Sequence, residues 1–293
     1  MLNPDSKKTP SPSKRRGQSF VELALILPIL LVMLLGLVEV AIFVGRYLDV
    51  LDLTREAARF ASVKDPFFID MPGYWDCSGN QFFFYFHTAC IFSPPSDQET
   101  EGGICWDRRF DHDNDPSTEI HDPFCNGLNP FITLDLTTDD VVISVYTVDG
   151  NNTVSRSHPG SNPDPRFAGD SVLDENGNIT YFWALSNHDW DTAHNNNWQK
   201  DCQGNVVRQR PHYTTASVQQ IINSSSVLNA QGTPVPAPGT KGYVAVELFY
   251  CYKQALNVPL FNVIVPNPVM IHAYTIMPLP AAQPTPTPIP SNP

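Results

Sequence analysis

The sequence predicts an α+β protein: a long N-terminal transmembrane helix followed by a loop-rich, mostly β exported domain carrying disulfides. Three observations predict it. An apolar run starts just behind a basic N-terminal stretch, six cysteines all fall beyond that run, and the body alternates β-branched and aromatic segments with proline-rich breaks. The expected organisation is a basic cytoplasmic leader over 1–17, a transmembrane and extended helix over 18–64, an exported α+β domain over 65–277 and a Pro/Thr-rich disordered tail over 278–293.

The helix comes first. Phe20 to Gly45 reads FVELALILPILLVMLLGLVEVAIFVG, and its uncharged stretch Leu23–Val38 spans about 24 Å as a helix. That falls slightly short of a ~30 Å hydrocarbon core. Adding Phe20, Val21 and Ala41 to Val44 makes it long enough and sets Glu22 and Glu39 near the two interfaces.

Charge orients the span. Lys7, Lys8, Lys14, Arg15 and Arg16 stand against Asp5 alone, so residues 1–17 stay in the cytoplasm by the positive-inside rule. Arg46 and Arg55 beyond the span are diluted by Asp49, Asp52 and Glu56. A cleaved secretory signal is disfavoured, because Leu37-Val38-Glu39-Val40-Ala41 lacks an A-x-A site and the helical pattern continues. Leu48, Leu51, Ala58 and Ala61 predict a protein-facing stripe, with Asp52, Arg55, Glu56 and Arg59 pairing along the other side. The helix ends before Asp65-Pro66, since proline disfavours helix at the residue before it.

The junction into the apolar run carries a more specific signal. Arg15-Arg16-Gly17-Gln18-Ser19-Phe20-Val21-Glu22 places a glycine at the end of a basic leader and a glutamate five residues on. This resembles the type IV prepilin processing site, where a membrane peptidase cuts after the glycine. The resemblance implies cleavage between Gly17 and Gln18. It also implies that Glu22, a carboxylate costly to place in a bilayer, pairs with the new N-terminal amine of a neighbouring subunit. The alternative has Glu22 merely sitting at the headgroup level beside Arg15 and Arg16.

Residues 15–62 as a whole resemble the TadE-like family of tight-adherence, Flp-type pilus proteins. Three blocks carry this: Gly17-Gln18 and Val21-Glu22 with Pro28, then Gly36-Leu37-Val38-Glu39, then Thr54-Arg55-Glu56-Ala57-Ala58-Arg59-Phe60-Ala61. Ala58 stands where the family often has glycine. The resemblance implies a minor pseudopilin that assembles with other pilin-like subunits, is processed by a prepilin peptidase and is not an enzyme. Glu22 and Glu39 become subunit-contact candidates.

In the exported body, QFFFYFH (81–87) reads as a buried strand, and 93–103 as a loop. DDVVISVYTVD (139–149) reads as a strand with Val141, Ile143 and Val145 on one face. The segment 151–170 reads as loop, and NITYFWAL (178–185) as a strand opened by an Asn176-Gly177 turn. A helix is expected over Thr215–Leu228, and long strands over 242–254 and 268–278. The tail is too rich in Pro and Thr to add to a core.

Cys77, Cys90, Cys105, Cys125, Cys202 and Cys251 are disulfide candidates: their number is even, the compartment is non-cytosolic, and no CxxC pair occurs. Their connectivity stays open. Asp111, Asp113, Asp115, Glu119 and Asp122 space hard oxygen ligands as a calcium loop does, but Pro116 replaces the turn glycine and position twelve is Asp. A solvated acidic loop is the preferred reading, with calcium the only cofactor considered. Cys105, His112, His121 and Cys125 match no common zinc spacing. The serines lack a nucleophile-elbow frame, so no catalytic residue is assigned. The net charge of −12 repels phosphate backbones and argues against nucleic acid as a partner. The expected function is pilus or secretion-apparatus assembly at the inner membrane. A membrane-anchored adhesive or ligand-binding surface domain is the alternative, supported by the aromatic-rich region 66–210.

Overall fold

Arg16–Ser62 form one helix, α1, in the computed structural model. The structure describes residues 16–67, 82–92, 132, 134–135, 137–149, 153–160, 169–174, 177–187, 199–207, 210–224, 227–228, 231, 234–235, 242–257 and 265–279. Residues 1–15 of the leader, the loop at 93–103, the tail beyond 279 and the acidic segment at 111–122 lie outside them. Pro28 sits inside α1, within the apolar stretch where interruptions of this kind are tolerated. At the far end Lys64 N–H donates to the Ala61 carbonyl at 3.0 Å, and Phe67 N–H donates to Asp65 Oδ1 at 2.9 Å. The chain therefore turns away at Asp65-Pro66, as proline requires.

α1 has two halves of opposite character. From Phe20 to Leu37 most of its large side chains are bare; Phe20, Leu25 and Leu37 are each more than 60% exposed, and only Val32 and Leu35 are half-buried. Among the described residues α1 is the one helix long and apolar enough to cross a membrane, and only 11% of its most apolar window is buried. A core helix of a soluble protein would be covered. Farther on, Val50, Leu53, Thr54, Ala57, Ala58 and Ala61 are buried. This i, i+3, i+4 spacing makes one stripe, and its alanines let the helix lie close to the sheet. Thr54 Oγ1 comes within 3.2 Å of Thr275 Oγ1. Of the expected stripe, Ala58 and Ala61 are buried and Leu51 packs against the core, whereas Leu48 is 52% exposed and points outward. Arg55 pairs with Asp52 at 2.9 Å and Arg59 with Glu56 at 3.5 Å on the solvent side.

The body is an antiparallel sheet. β1 (Asp140–Val148), β2 (Val154–His158), β3 (Asp170–Leu173), β4 (Ile179–Ala184), β7 (Gly242–Tyr252) and β8 (Val269–Pro278) run in the order β3-β4-β1-β7-β8, with β2 also paired to β1. β5 (Val227–Leu228) and β6 (Pro234–Val235) form a separate small ladder. Strand periodicity sorts the faces. Val141, Ile143, Val145, Val244, Val246 and Leu248 join the core under α1, whereas Tyr146, Val148 and Ala245 pack on the other face against Val218 and Ile222 of α3 (Thr215–Ser224). On that second face Glu247 is fully buried, and its carboxylate accepts the His212 N–H at 2.8 and 2.9 Å and pairs with His272 Nε2 at 2.8 Å.

Three readings of the body are corrected. The segment 81–87 is no strand: Phe84–Ala89 form a short helix, α2, with every residue buried. An all-apolar run carries no period to separate the two states. Here the Thr88 hydroxyl donates to the Phe84 carbonyl at 2.7 Å and the Phe83 N–H donates to His87 Nδ1 at 3.1 Å, i to i+4 links that close helical turns. Tyr85 then stacks on Trp183 of β4 at 6.1 Å. Within 151–170, read as loop, Val154–His158 form β2 against the end of β1. Its polar composition suits an edge position. The helix expected over Thr215–Leu228 stops at Ser224, and Val227–Leu228 extend instead.

Two glycines shape the β3–β4 hairpin. Gly177 has φ 80°, the left-handed turn conformation glycine adopts freely. A Cβ on Gly169 would lie 2.7 Å from the Phe182 carbonyl oxygen, so only glycine fits where β3 begins.

Candidate functional site: the junction of helix and body

Glu39 sits where the bare half of α1 meets the covered half, and it is 8% exposed. Its Oε1 accepts the Tyr252 hydroxyl at 2.6 Å and the Ala255 N–H at 3.0 Å, and its Oε2 accepts the Leu256 N–H at 2.8 Å. Tyr252 ends β7 opposite Val269, the first residue of β8, so the bonds join the helix to the near end of the sheet. Phe43, one turn farther along α1, meets the Tyr252 ring edge-on at 5.4 Å. Burial, then the hydrogen bond to the Glu39 carboxylate, pushes the Tyr252 phenol up to about 12. It stays a donor at any ordinary pH. Glu39, expected as a subunit contact, engages its carboxylate within its own chain.

A cavity of about 210 Å³ opens beside this node, between Gly36, Val40 and Phe43 of α1 and Gln254, Val265 and Val269 of the body. Gln254 is 9% exposed. Its backbone N–H donates to Asn267 Oδ1 at 3.0 Å and its Nε2 to the Val265 carbonyl at 3.3 Å.

A second node holds the outer loops to the sheet. Asp140 accepts the Ser186 hydroxyl at 2.6 Å, the Ser186 N–H at 3.1 Å and the Gln199 N–H at 2.9 Å. Its neighbour Asp139 accepts the Cys251 N–H at 2.8 Å and the Asp135 N–H at 2.8 Å. Burial raises both carboxyls, Asp139 to about 7. Cys251 is disulfide-bonded to Cys202, which lies on a tight turn where Asp201 Oδ1 accepts the Gln203 and Asn205 N–H groups at 2.9 and 2.8 Å. Cys90 is also disulfide-bonded. Cys77, Cys105 and Cys125 lie outside the described residues.

The sequence-assigned processing residues fall at the start of α1. Gly17 and Gln18 lie in its first turn and Glu22 one turn on, exposed. The geometry brings neither Gly17 nor Glu22 to the Glu39 node. The calcium candidates Asp111, Asp113, Asp115, Glu119 and Asp122 lie outside the described residues. Among the described residues no three His, Cys, Asp or Glu side chains are grouped to hold a metal ion. Tyr252, Gln254 and the Asp139–Asp140 pair escaped the sequence reading. One signal pointed toward the first: a glutamate inside an apolar helix needs a partner, and Tyr252 stands on the helix-facing side of the best-patterned strand.

Among the described residues one apolar helix, bare over one half and packed over the other against a disulfide-bearing antiparallel sheet, has the form of a single-pass membrane anchor. Residues 17–59 match the family model described as TadE-like protein. The match covers most of α1 and none of the sheet, so this stretch of the chain is similar to a TadE-like domain. No curated protein and no solved structure matches it.

Proposed function

We propose that the chain is a minor pseudopilin that takes part in assembling a pilus or secretion apparatus, with residues 1–17 in the cytoplasm and the sheet domain outside. In this reading a prepilin peptidase removes the leader after Gly17. Glu22 then meets the N-terminal amine of a neighbouring subunit, and the protein works by contact without turning over a substrate. The observation that carries it is the division of α1. Its first half presents apolar side chains on all sides, with Glu22 near its start, while the second half is fixed in the body's core through Glu39. A helix so divided transmits a pull on its membrane half directly to the exported domain. The match over residues 17–59 supports the same role.

Co-expression with an active prepilin peptidase tests the processing step. Mass spectrometry should find Gln18 at the mature N-terminus, and Gly17→Leu should block the cut. An intact Met1 beside a demonstrably active peptidase would count against it.

A further inference from the structure

We propose that the outer edge of β8 is a docking site for an extended segment of a different polypeptide, which joins the sheet as a further strand. The sheet ends at β8. Just past the ladder with β7, the Leu279 N–H donates to the Gly242 carbonyl at 2.8 Å, so that pair is hydrogen-bonded. Bonded and unbonded pairs alternate along an antiparallel ladder. Counting back through the register, Val269, Ile271, Ala273, Thr275 and Met277 bond to β7. Met270, His272, Tyr274 and Ile276 therefore turn their N–H and C=O groups outward, where no partner meets them among the described residues. Pro278 falls on the outward phase too, where a missing N–H is harmless.

Proteins blunt an edge of this kind with charge, a bulge or proline. β8 carries no Lys, Arg, Asp or Glu, has proline only at its end and pairs with β7 without a register shift. The flank above it is apolar as well. Tyr47, Leu51 and Thr54 form one row of α1 at i, i+4 and i+7, and Thr54 comes within 3.2 Å of Thr275 in β8. The row thus follows the β8 side of the helix, where Tyr47 is 41% exposed and its neighbour Leu48 52%. Both follow Arg46, beyond the apolar run. Alternate apolar side chains of an added strand would cover them while its backbone pairs with β8.

The direction of α1 selects the occupant. Glu39 bonds Tyr252 opposite Val269 at the start of β8, and Thr54 meets Thr275 near its end, so helix and strand run the same way. Symmetric pairing of β8 with the β8 of a second copy is antiparallel. It would turn one α1 end for end, out of a bilayer that the two shared. The occupant is a segment of a different chain, extended over about 20 Å, free of proline and apolar on the side facing α1. Docking there requires neither cleavage after Gly17 nor Glu22, so it stands or falls apart from the proposed role.

Amide exchange of the full chain in detergent, read by NMR, tests the site with the capped peptide Lys-Thr-Val-Thr-Val-Thr-Val-Lys as probe. Without peptide, the Met270, His272, Tyr274 and Ile276 amides should exchange about a hundredfold or more faster than those of Ile271, Ala273 and Thr275. The peptide should slow the outward amides about tenfold or more. The same peptide N-methylated at every threonine and valine has no N–H to pair and should leave them unchanged. Tyr274→Pro removes an outward N–H and spares the β7 ladder; Leu48→Lys alters the exposed flank. Each should weaken peptide binding about tenfold, and the second keeps the test decisive if the first misfolds. Outward amides already protected in the free chain would overturn the site, as an edge covered by the chain itself. Protection that grows with protein concentration would overturn it in favour of a second copy. Slowing by the N-methylated peptide, or peptide binding unchanged in both variants, would overturn it as well.

Discussion

Tyr252 donates its hydroxyl hydrogen to Glu39 at 2.6 Å across 213 positions of sequence, and this bond fixes where the sheet sits along the helix. Two backbone N–H groups complete the carboxylate's shell, so Tyr252→Phe removes one of three donors. It should lower stability by ~1.5–3 kcal/mol, the usual worth of a hydrogen bond to a charged group. Glu39→Ala should cost more, because it leaves the Tyr252 hydroxyl and the Ala255 and Leu256 N–H groups without their acceptor. Thermal unfolding of the full chain in detergent reads both. An unchanged melting temperature in Glu39→Ala, with partner subunits lost, would return Glu39 to the role of a subunit contact.

Asp140 is fully buried and gathers three donors from the Leu185–Asn187 turn and from Gln199. Asp140→Ala strands those donors and should destabilise by roughly 3 kcal/mol. Hydrogen exchange should locate the loosening at Ser186 and Gln199. Full protection of both amides in the variant would contradict this assignment.

Asp139 gives the body a pH dependence of definite sign. Its folded carboxyl is raised to about 7, first by burial, against an unfolded value of about 3.9. Between those values the folded state holds a proton that the unfolded state has released. The contribution is therefore present in full below about pH 4 and is lost as pH rises toward 7. Asp139→Asn cannot titrate, so the difference in stability between wild type and variant should shift in the variant's favour from pH 4.5 to 7.5. A difference independent of pH would show that Asp139 does not titrate in that window.

The Cys202–Cys251 bridge joins the Asp201 turn to β7 across 49 positions. Closing a loop of this length stabilises by ~2–4 kcal/mol. Reduction should lower the melting temperature measurably, and Cys202→Ser with Cys251→Ser should reproduce that loss. Free thiols at both positions in protein taken from its native envelope would overturn the assignment of an oxidising compartment.

Much of this architecture was legible in the sequence because periodicity reports burial. Unbroken apolar residues gave α1, alternation gave β1, β4, β7 and β8, and the i, i+3, i+4 spacing of Val218, Ile221 and Ile222 gave α3. Where pattern and state separate, reading failed. The aromatic run of α2 is apolar on every side, and β2 is polar because it lies at an edge. The junction was half legible: Glu39 marked itself by being acidic in an apolar helix, but pairings over 213 positions leave no local trace. Asp139 and Asp140 stand at the start of an expected strand with no role assigned, since nothing local tells a solvated acid from a buried one with donors supplied by distant turns.

The Glu22 carboxylate tests the central claim most directly, because it separates an assembling helix from a passive anchor. Wild type and Glu22→Ala are expressed equally with the other pilin-like subunits, and partners are recovered by crosslinking through the membrane helix. If Glu22 pairs with a neighbour's amine, breaking the pair costs ~3–5 kcal/mol, because the other charge is left buried and alone. The variant should then insert and be processed normally while partner recovery falls at least about tenfold. Equal recovery of partners from both proteins would contradict the assembly role.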